Sequence, residues 1–323
     1  MSAAARAAFS AFAVGVACGA VAAPGDDPLA WLTRAVQAAR TTTFAGTFVH
    51  TNGDRTSTVR ITHAVRGSEE HERVEPLDAP AYEIVRRNDE MYCHFPDAKT
   101  VKLDRRTTAR FFPSLFAAPV ATIAASYDVK LGATEHVLGY DCRWIRLDPH
   151  DTMRYAQRFC SETTTGLVLR AKTLSEQQQV IEQYTFTDLK VGPGAARVDL
   201  RQIFEARVKR WISDAKPLDE AQSAQTGWSV SQPPAGFEKI TELKRPLAAR
   251  AQPVPQIVFS DGLASLSVFV EPNSPQPRSA EVSSENGTTS FFVHPVGQYV
   301  VTVLGEVPLA TAQQVARSVV HKP

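Results

Sequence analysis

The spacing of apolar positions changes several times along the chain, and each change marks a predicted element. Residues 7–21 are an unbroken run of apolar and small side chains. A helical period follows: Trp31, Leu32, Ala35, Val36 and Ala39 share one face, Asp27 is placed to cap, and Pro28 suits the first helical position. The period then shortens to two. Val59, Ile61, His63 and Val65 alternate with Thr58, Arg60, Thr62 and Ala64, as in a half-buried antiparallel strand. Strands are predicted over 43–50, 56–65, 82–87, 90–95 and 100–104, then 127–131, 140–147, 153–160, 167–173 and 180–186. Between the two sets, Phe111-Phe112-Pro113 breaks the pattern, and 114–125 reads as a short helix interrupted by Pro119.

So many strands with so few helices leave one sheet face to cover. A closed barrel does this, and so does a strongly curved open sheet with helices on its concave side. The second solution leaves apolar space in which a ligand could sit. The fold class is therefore α+β, either of these two solutions followed by a small C-terminal α+β domain.

The pattern changes again at 206. Arg207, Lys209 and Arg210 cluster before Trp211, and residues 214–227 are polar, so 207–227 is predicted to be a linker. The second module, 228–323, predicts strands at 237–243, 264–270, 291–294 and 298–304. Ser260-Asp261-Gly262 reads as a turn and 272–290 as a long mobile loop. Thr311 and Gln314 have capping-box spacing ahead of a helix whose apolar face is Ala312, Val315, Ala316 and Val319.

Composition then narrows the setting. Arg6 is the only charge before Asp26, and Ala20-Val21-Ala22 offers a cleavage site before Ala23, so 1–22 is read as a signal peptide and 23–206 as the first domain. Val16-Ala17-Cys18 supplies a weaker, lipoprotein-like alternative. Without residues 1–22 the chain has 34 basic and 34 acidic side chains, which argues against nucleic acid as a partner. Three cysteines remain in an oxidising setting. Cys142 and Cys160 flank a predicted hairpin and would face one another if it turned about Asp151, and a pair involving Cys93 is the alternative.

Candidate chemistry is sparse. No glycine-rich phosphate loop, C-x-x-C pair or G-x-S-x-G elbow is present, so no catalytic, cofactor or metal residues are assigned, and no enzyme is expected. His71 could meet Glu75 on a helix, with Glu69, Glu70 and Glu72 nearby, but solvated charge explains that run better than metal. Arg207 and Arg210 beside Trp211 suit a phosphate or an acidic polypeptide, or equally a basic helix end beside a buried tryptophan.

Several stretches together resemble one family. They are Trp228, Pro234-x-Gly236-Phe237, Lys244-Arg245-Pro246-Leu247, Phe259-Ser260-Asp261-Gly262-Leu263-x-Ser265-x-Ser267-Val268, Val303-x-Gly305-Glu306-x-Pro308 and Thr311-Ala312. In the first module Arg154-Tyr155 and Thr165-Gly166-Leu167 join them. The chain thus resembles the RseB/MucB regulators of the envelope-stress sigma factor. The resemblance implies a first domain like the lipoprotein carriers LolA and LolB, and so the second of the two sheet solutions, a large curved antiparallel β-sheet wrapped around helices. It also implies a periplasmic location and binding of the periplasmic segment of a single-span anti-sigma factor, which is shielded from proteolysis. Release would follow binding of lipopolysaccharide or another acyl-chain lipid. A lipid or lipoprotein carrier is the alternative function, and a homo-oligomer stays open. Lys244, Arg245 and Asp261 in the second module, with Arg207, Arg210 and Trp211, are the partner-binding candidates.

Overall fold

Alternation with period two governs the chain from residue 44 onward in a computed structural model, which describes residues 25 and 27–321 apart from 79–80, 105–110, 215, 218–221, 247–251 and 274–279. The signal-peptide reading of 1–22 lies outside the described residues. The first module runs α1 (Pro28–Thr41), β1 (Phe44–Asn52), β2 (Arg55–Arg66), β3 (Glu69–Pro76), β4 (Glu83–Arg87), β5 (Glu90–Phe95), β6 (Thr100–Asp104), α2 (Val120–Ala124), β7 (Tyr127–Val137), β8 (Tyr140–Pro149), β9 (Ala156–Glu162), β10 (Val168–Leu174), β11 (Val180–Val191), α3 (Leu200–Asp214) and β12 (Lys216–Pro217). The second continues with β13 (Gln222–Ser223), β14 (Trp228–Val230), β15 (Glu238–Arg245), β16 (Val254–Ser260), β17 (Ser265–Pro272), β18 (Val282–Asn286), β19 (Thr289–Val296), β20 (Tyr299–Gly305), α4 (Leu309–Arg317) and β21 (Val319–His321).

Strands β1 to β12 form one large curved sheet in the order β12-β6-β5-β4-β3-β2-β1-β11-β10-β9-β8-β7. Two meanders meet where β1 pairs with β11, Phe44 opposite Val191, so the sheet is open and β7 is one edge. The alternation feeds two cores. On one face Ile84 and Cys93 join Trp31, Leu32 and Ala35 of α1, side chains the size of Ile84 and Leu32 contributing about 1.5–3 kcal/mol each by leaving water. On the other face Val85, Tyr92 and Val101 pack against Phe204 and Trp211 of α3. Asp27 caps α1 as its position suggests, accepting from the Leu29 N–H at 3.0 Å.

The core that α1 covers also takes in aromatic side chains from the segment between the two meanders. Phe112 and Phe116, from the segment ahead of α2, stack among Phe48, Tyr184, Phe186 and Phe159, with Phe112 5.1 Å from Phe48 and Phe116 4.8 Å from Phe159 between ring centroids. The second module orders seven strands β13-β15-β16-β17-β20-β19-β18 around its own core of Val268, Phe292, Val301, Val303, Val315 and Ala316. Trp228 and β14 pair with β21 in a small separate ladder.

Several expectations need correction. The acidic run around His71 is strand β3 rather than helix: alternation puts His71 in the interior, and the charges pair across strands, Arg86–Glu72 at 3.1 Å and Arg73–Glu83 at 2.7 Å. Residues 207–214, expected within a linker, are helical because Phe204 and Trp211 bury one face of α3 on the sheet. β12 then pairs with β6 and β13 with β15, so the connection is tied to both sheets. The loop expected over 272–290 contains β18, an exposed edge strand paired with β19. The helix expected over 114–125 is reduced to Val120–Ala124.

Cys142 and Cys160 are joined, S–S 2.01 Å, while Cys93 is buried in β5 outside any disulfide. The hairpin register differs from one centred on Asp151. Cys142 faces Glu162 and Cys160 faces Trp144, so the bridge runs diagonally. The bridge spans a sequence separation of 18 residues, which in the chain-entropy account corresponds to about 3 kcal/mol. A C142S/C160S variant is expected to lose about that much unfolding free energy in a urea titration; an unchanged midpoint would show that the bridge does not constrain the unfolded chain.

Candidate functional site

The best-defined polar constellation joins the two modules. Asp151, on the turn between β8 and β9, accepts from the Met153 N–H at 2.9 Å and from Arg154 Nε at 3.1 Å, which fixes the arginine's direction. Arg154 then crosses into the second module. Its Nη1 donates to Asp261 Oδ2 at 2.7 Å, its Nη2 donates to the Ala235 carbonyl, and its guanidinium lies 5.0 Å from the Phe237 ring centroid. Tyr127 Oη also donates to Asp261 Oδ2, at 3.1 Å. Side-chain exposure is 1% for Arg154 and 0% for Asp261. Burial opposes the arginine's charge, but Asp151 and Asp261 more than offset it and raise its pKa. Burial and the Asp261 carboxylate also hold the Tyr127 hydroxyl protonated well beyond its usual range.

The turn that carries Asp261 is itself built for close approach. Asp261 Oδ1 accepts from the N–H groups of Leu263 and Ala264, and Leu263 packs against the first module's core. The Gly262 carbonyl accepts from the Ala117 N–H at 2.8 Å. Gly262 has φ +96°, and a Cβ there would fall 2.4 Å from that of Ala118, so glycine is required on both counts. This contact explains the shortened helix ahead of α2: the backbone at 117 bonds to the other module.

Further contacts extend the junction, among them Tyr155 Oη donating to Glu285 Oε1 at 3.0 Å. The β1–β2 and β18–β19 hairpin tips clasp, Asn52 Oδ1 accepting from the Thr288 N–H at 2.9 Å and Asp54 Oδ1 from Asn286 Nδ2 at 2.6 Å. Thr311 Oγ1 donates to the Met153 carbonyl at 3.1 Å. The capping box expected for Thr311 is therefore not formed; α4 starts after Pro308 without a side-chain cap.

Between these contacts lies a cavity of about 340 Å³, lined from the first module by Phe159, Thr173, Glu182 and Tyr184 and from the second by Thr288 and Glu306. Glu182 is satisfied by His50 Nε2 at 2.9 Å, Tyr184 Oη at 3.1 Å and Thr173 Oγ1 at 3.2 Å. Glu306 lines this cavity among groups of both modules, and its side chain is exposed to the solvent there. Burial, then the Glu182 and Asp261 carboxylates, push its pKa up to about 7.

The candidates named from sequence do not assemble into one surface. Asp261 is withdrawn as a solvent-facing contact because the first module covers it. Lys244 is exposed at the far end of the β15–β16 ladder, opposite Pro255, whereas Glu238 faces Ser260; Arg245 is bonded to Gln256. On α3, Arg207 Nε donates to Glu83 at 3.2 Å, Arg210 is exposed, and Trp211 is buried and stacked on His94. Trp211 follows the second of its two sequence readings. Sequence reasoning missed Arg154, Asp151 and Tyr127 as a unit. Arg154-Tyr155 stood out only through family resemblance, since residues 107 positions apart give no local signal.

Comparisons with known proteins cover both modules. Residues 27–204 match the MucB/RseB N-terminal domain and residues 222–320 the MucB/RseB C-terminal domain. The chain is 31% identical to the sigma factor AlgU regulatory protein MucB of Pseudomonas aeruginosa, over 90% of this chain and 89% of that one. It is 23% identical to the sigma-E factor regulatory protein RseB of Escherichia coli, over 84% of each. Among solved structures, Pseudomonas aeruginosa MucB in the MucA/MucB complex superposes with a TM-score of 0.74 at 27% identity, covering 92% of this chain and 99% of that one.

Removing one member of the Arg154–Asp261 pair leaves the other charge buried alone. D261A is expected to cost about 3–5 kcal/mol by urea denaturation. An R154L/D261L variant should cost less than the two single leucine substitutions together. Full additivity would mean that the two residues act independently.

Proposed function

The chain belongs to the MucB/RseB family, and from that membership we propose that it is a periplasmic regulator that binds the periplasmic segment of a membrane anti-sigma factor and shields it from regulated proteolysis. The observation that carries this reading is the family match across both modules, together with likeness over nearly the full chain to a relative solved in complex with MucA. Shielding requires surface and affinity, and no bond is made or broken. The chain acts by binding and is not an enzyme.

Lipid enters as the finer part of the reading. Phe112 and Phe116 fill the first module's core against the sheet, the apolar volume an acyl chain would have to enter. An entering chain gains about 0.8 kcal/mol per methylene removed from water and must offset the loss of those ring contacts. The same segment donates from Ala117 to the Gly262 carbonyl, so displacing it breaks a contact between the modules. Lipopolysaccharide or a related lipid would in this way be felt by the second module. Docking of the anti-sigma segment is proposed at basic groups of the surface: exposed Lys244 with its half-buried neighbour Arg245 on β15, or exposed Arg210 with half-buried Arg207 on α3.

The test is a calorimetric titration of the cognate anti-sigma periplasmic segment into the full chain. Saturable binding at micromolar protein or tighter is expected, with protection of the segment from its protease; absence of binding overturns the reading. Lipopolysaccharide added to saturation should weaken the complex. Stoichiometric lipid in the native protein with no effect on cleavage of the anti-sigma factor would instead favour the carrier function.

A further inference from the structure

The stretch Gly305-Glu306-Val307-Pro308 is accounted for at three positions and unexplained at the fourth. A Cβ on Gly305 would meet that of Leu266 at 2.6 Å, Val307 is fully buried, and Pro308 stands at the start of α4. Glu306 bonds through its backbone, its N–H donating to the Ser265 carbonyl at 2.9 Å. Its carboxylate faces the cavity between the modules, where it adds a negative charge opposite Glu182 of β11.

The surroundings give that charge little compensation. From the first module, β9 and β10 present Gln157 and Thr173, and β11 presents Glu182 and Tyr184. The β16–β17 turn adds Asp261, and the β18–β19 turn adds Thr288. The nearby groups that could face it are already engaged, the Arg154 guanidinium by Asp261 and Asp151, and the His50 imidazole by Glu182. Glu306 and Glu182 belong to different modules, so separating the modules moves like charges apart and opens the cavity to bulk water.

We propose that Glu306 makes closure of the two modules pH-dependent: the closed arrangement holds a proton on this carboxylate, and its loss loosens the junction. The sign follows from the upward shift. In an open arrangement Glu306 would return toward the ordinary value of 4.5, against about 7 when closed. Closure therefore takes up a proton between those values. It is most favourable below about 4.5, loses ground as pH rises through 7, and changes little above that. Because solvent reaches the side chain, the effect is set on the order of tenfold in the open–closed equilibrium, below what the full shift would give.

The experiment needs no partner or lipid, so it stands apart from the regulatory reading above. Hydrogen exchange of the Ala117 and Thr288 amides, whose bonds cross the junction, is followed in the full chain from pH 5 to 8.5 and corrected for intrinsic exchange. In wild type, protection of both amides is expected to fall on the order of tenfold across neutrality. E306Q should flatten the profile, while H50Q, removing the imidazole bonded to Glu182, should leave the fall in place. Parallel profiles in wild type and E306Q overturn the proposal. A carbon-detected NMR titration of Glu306 in the wild-type chain gives an answer that does not depend on any variant folding. Titration near neutrality is expected; titration in the ordinary carboxylate range overturns it.

Discussion

Arg154 and Asp261 have both left water, and neither could do so without the other. Moving such an ion into a protein interior costs several kcal/mol after relaxation, and Coulomb attraction repays this only when geometry and further hydrogen bonds are good. Here they are. Asp151 orients the guanidinium, Tyr127 and two backbone N–H groups fill the Asp261 oxygens, and the Ala235 carbonyl takes another arginine proton. The pair contributes position more than net stability. Its oxygens and nitrogens come from elements of both modules and are satisfied in one relative placement, so the hairpin clasp, the Thr311 contact and the cavity all take their geometry from it.

Local order was legible in the sequence, and the junction was not. Alternation at residues 58–65 and the 31–39 helical face depend on neighbours three or four positions away at most, and both are present. Val59, Ile61 and His63 are buried as expected, as are Trp31, Leu32, Ala35 and Ala39, while at the strand's end Ala64 is buried in place of Val65 and Val36 is only half-buried. The Cys142–Cys160 bridge followed from hairpin spacing, although its register did not. What failed shares one cause. Thr311 has the spacing of a cap but donates to Met153, Asp261 has the composition of a surface turn but is covered, and Ala117, within the helix expected over 114–125, bonds to Gly262. In each case a polar group with a good local partner found a better one in the other module, and single-sequence patterns do not encode that competition. The acidic run at 69–75 failed differently: its charges suggested solvent, and cross-strand arginines took that place.

A polar junction also bears on how freely the modules move. A polar linker alone suggests cheap reorientation. The connection instead adds strands to both sheets through β12 and β13, and the junction itself carries buried hydrogen bonds that must be broken together for the modules to part. Contacts that must break together favour a two-state opening over a continuous hinge. That is the kind of element on which a ligand can act, provided it interacts differently with the two arrangements.

Two sites at the junction could supply that difference, and they work through separate physics. The 111–119 segment links the aromatic filling of the first module to the Gly262 carbonyl, so an apolar ligand entering the first module's core would act through packing. Glu306 and Glu182 act through charge across the cavity. The strong pair at Arg154 and Asp261 sets which closed arrangement exists, while the weaker terms set how often it is occupied. A stronger junction would leave such inputs without effect, because a ligand shifts an equilibrium only by its differential affinity, which in allosteric proteins is typically about 1–3 kcal/mol. An uncompensated carboxylate inside an otherwise well-satisfied junction lowers the stability of the closed state toward the range in which inputs of that size can act.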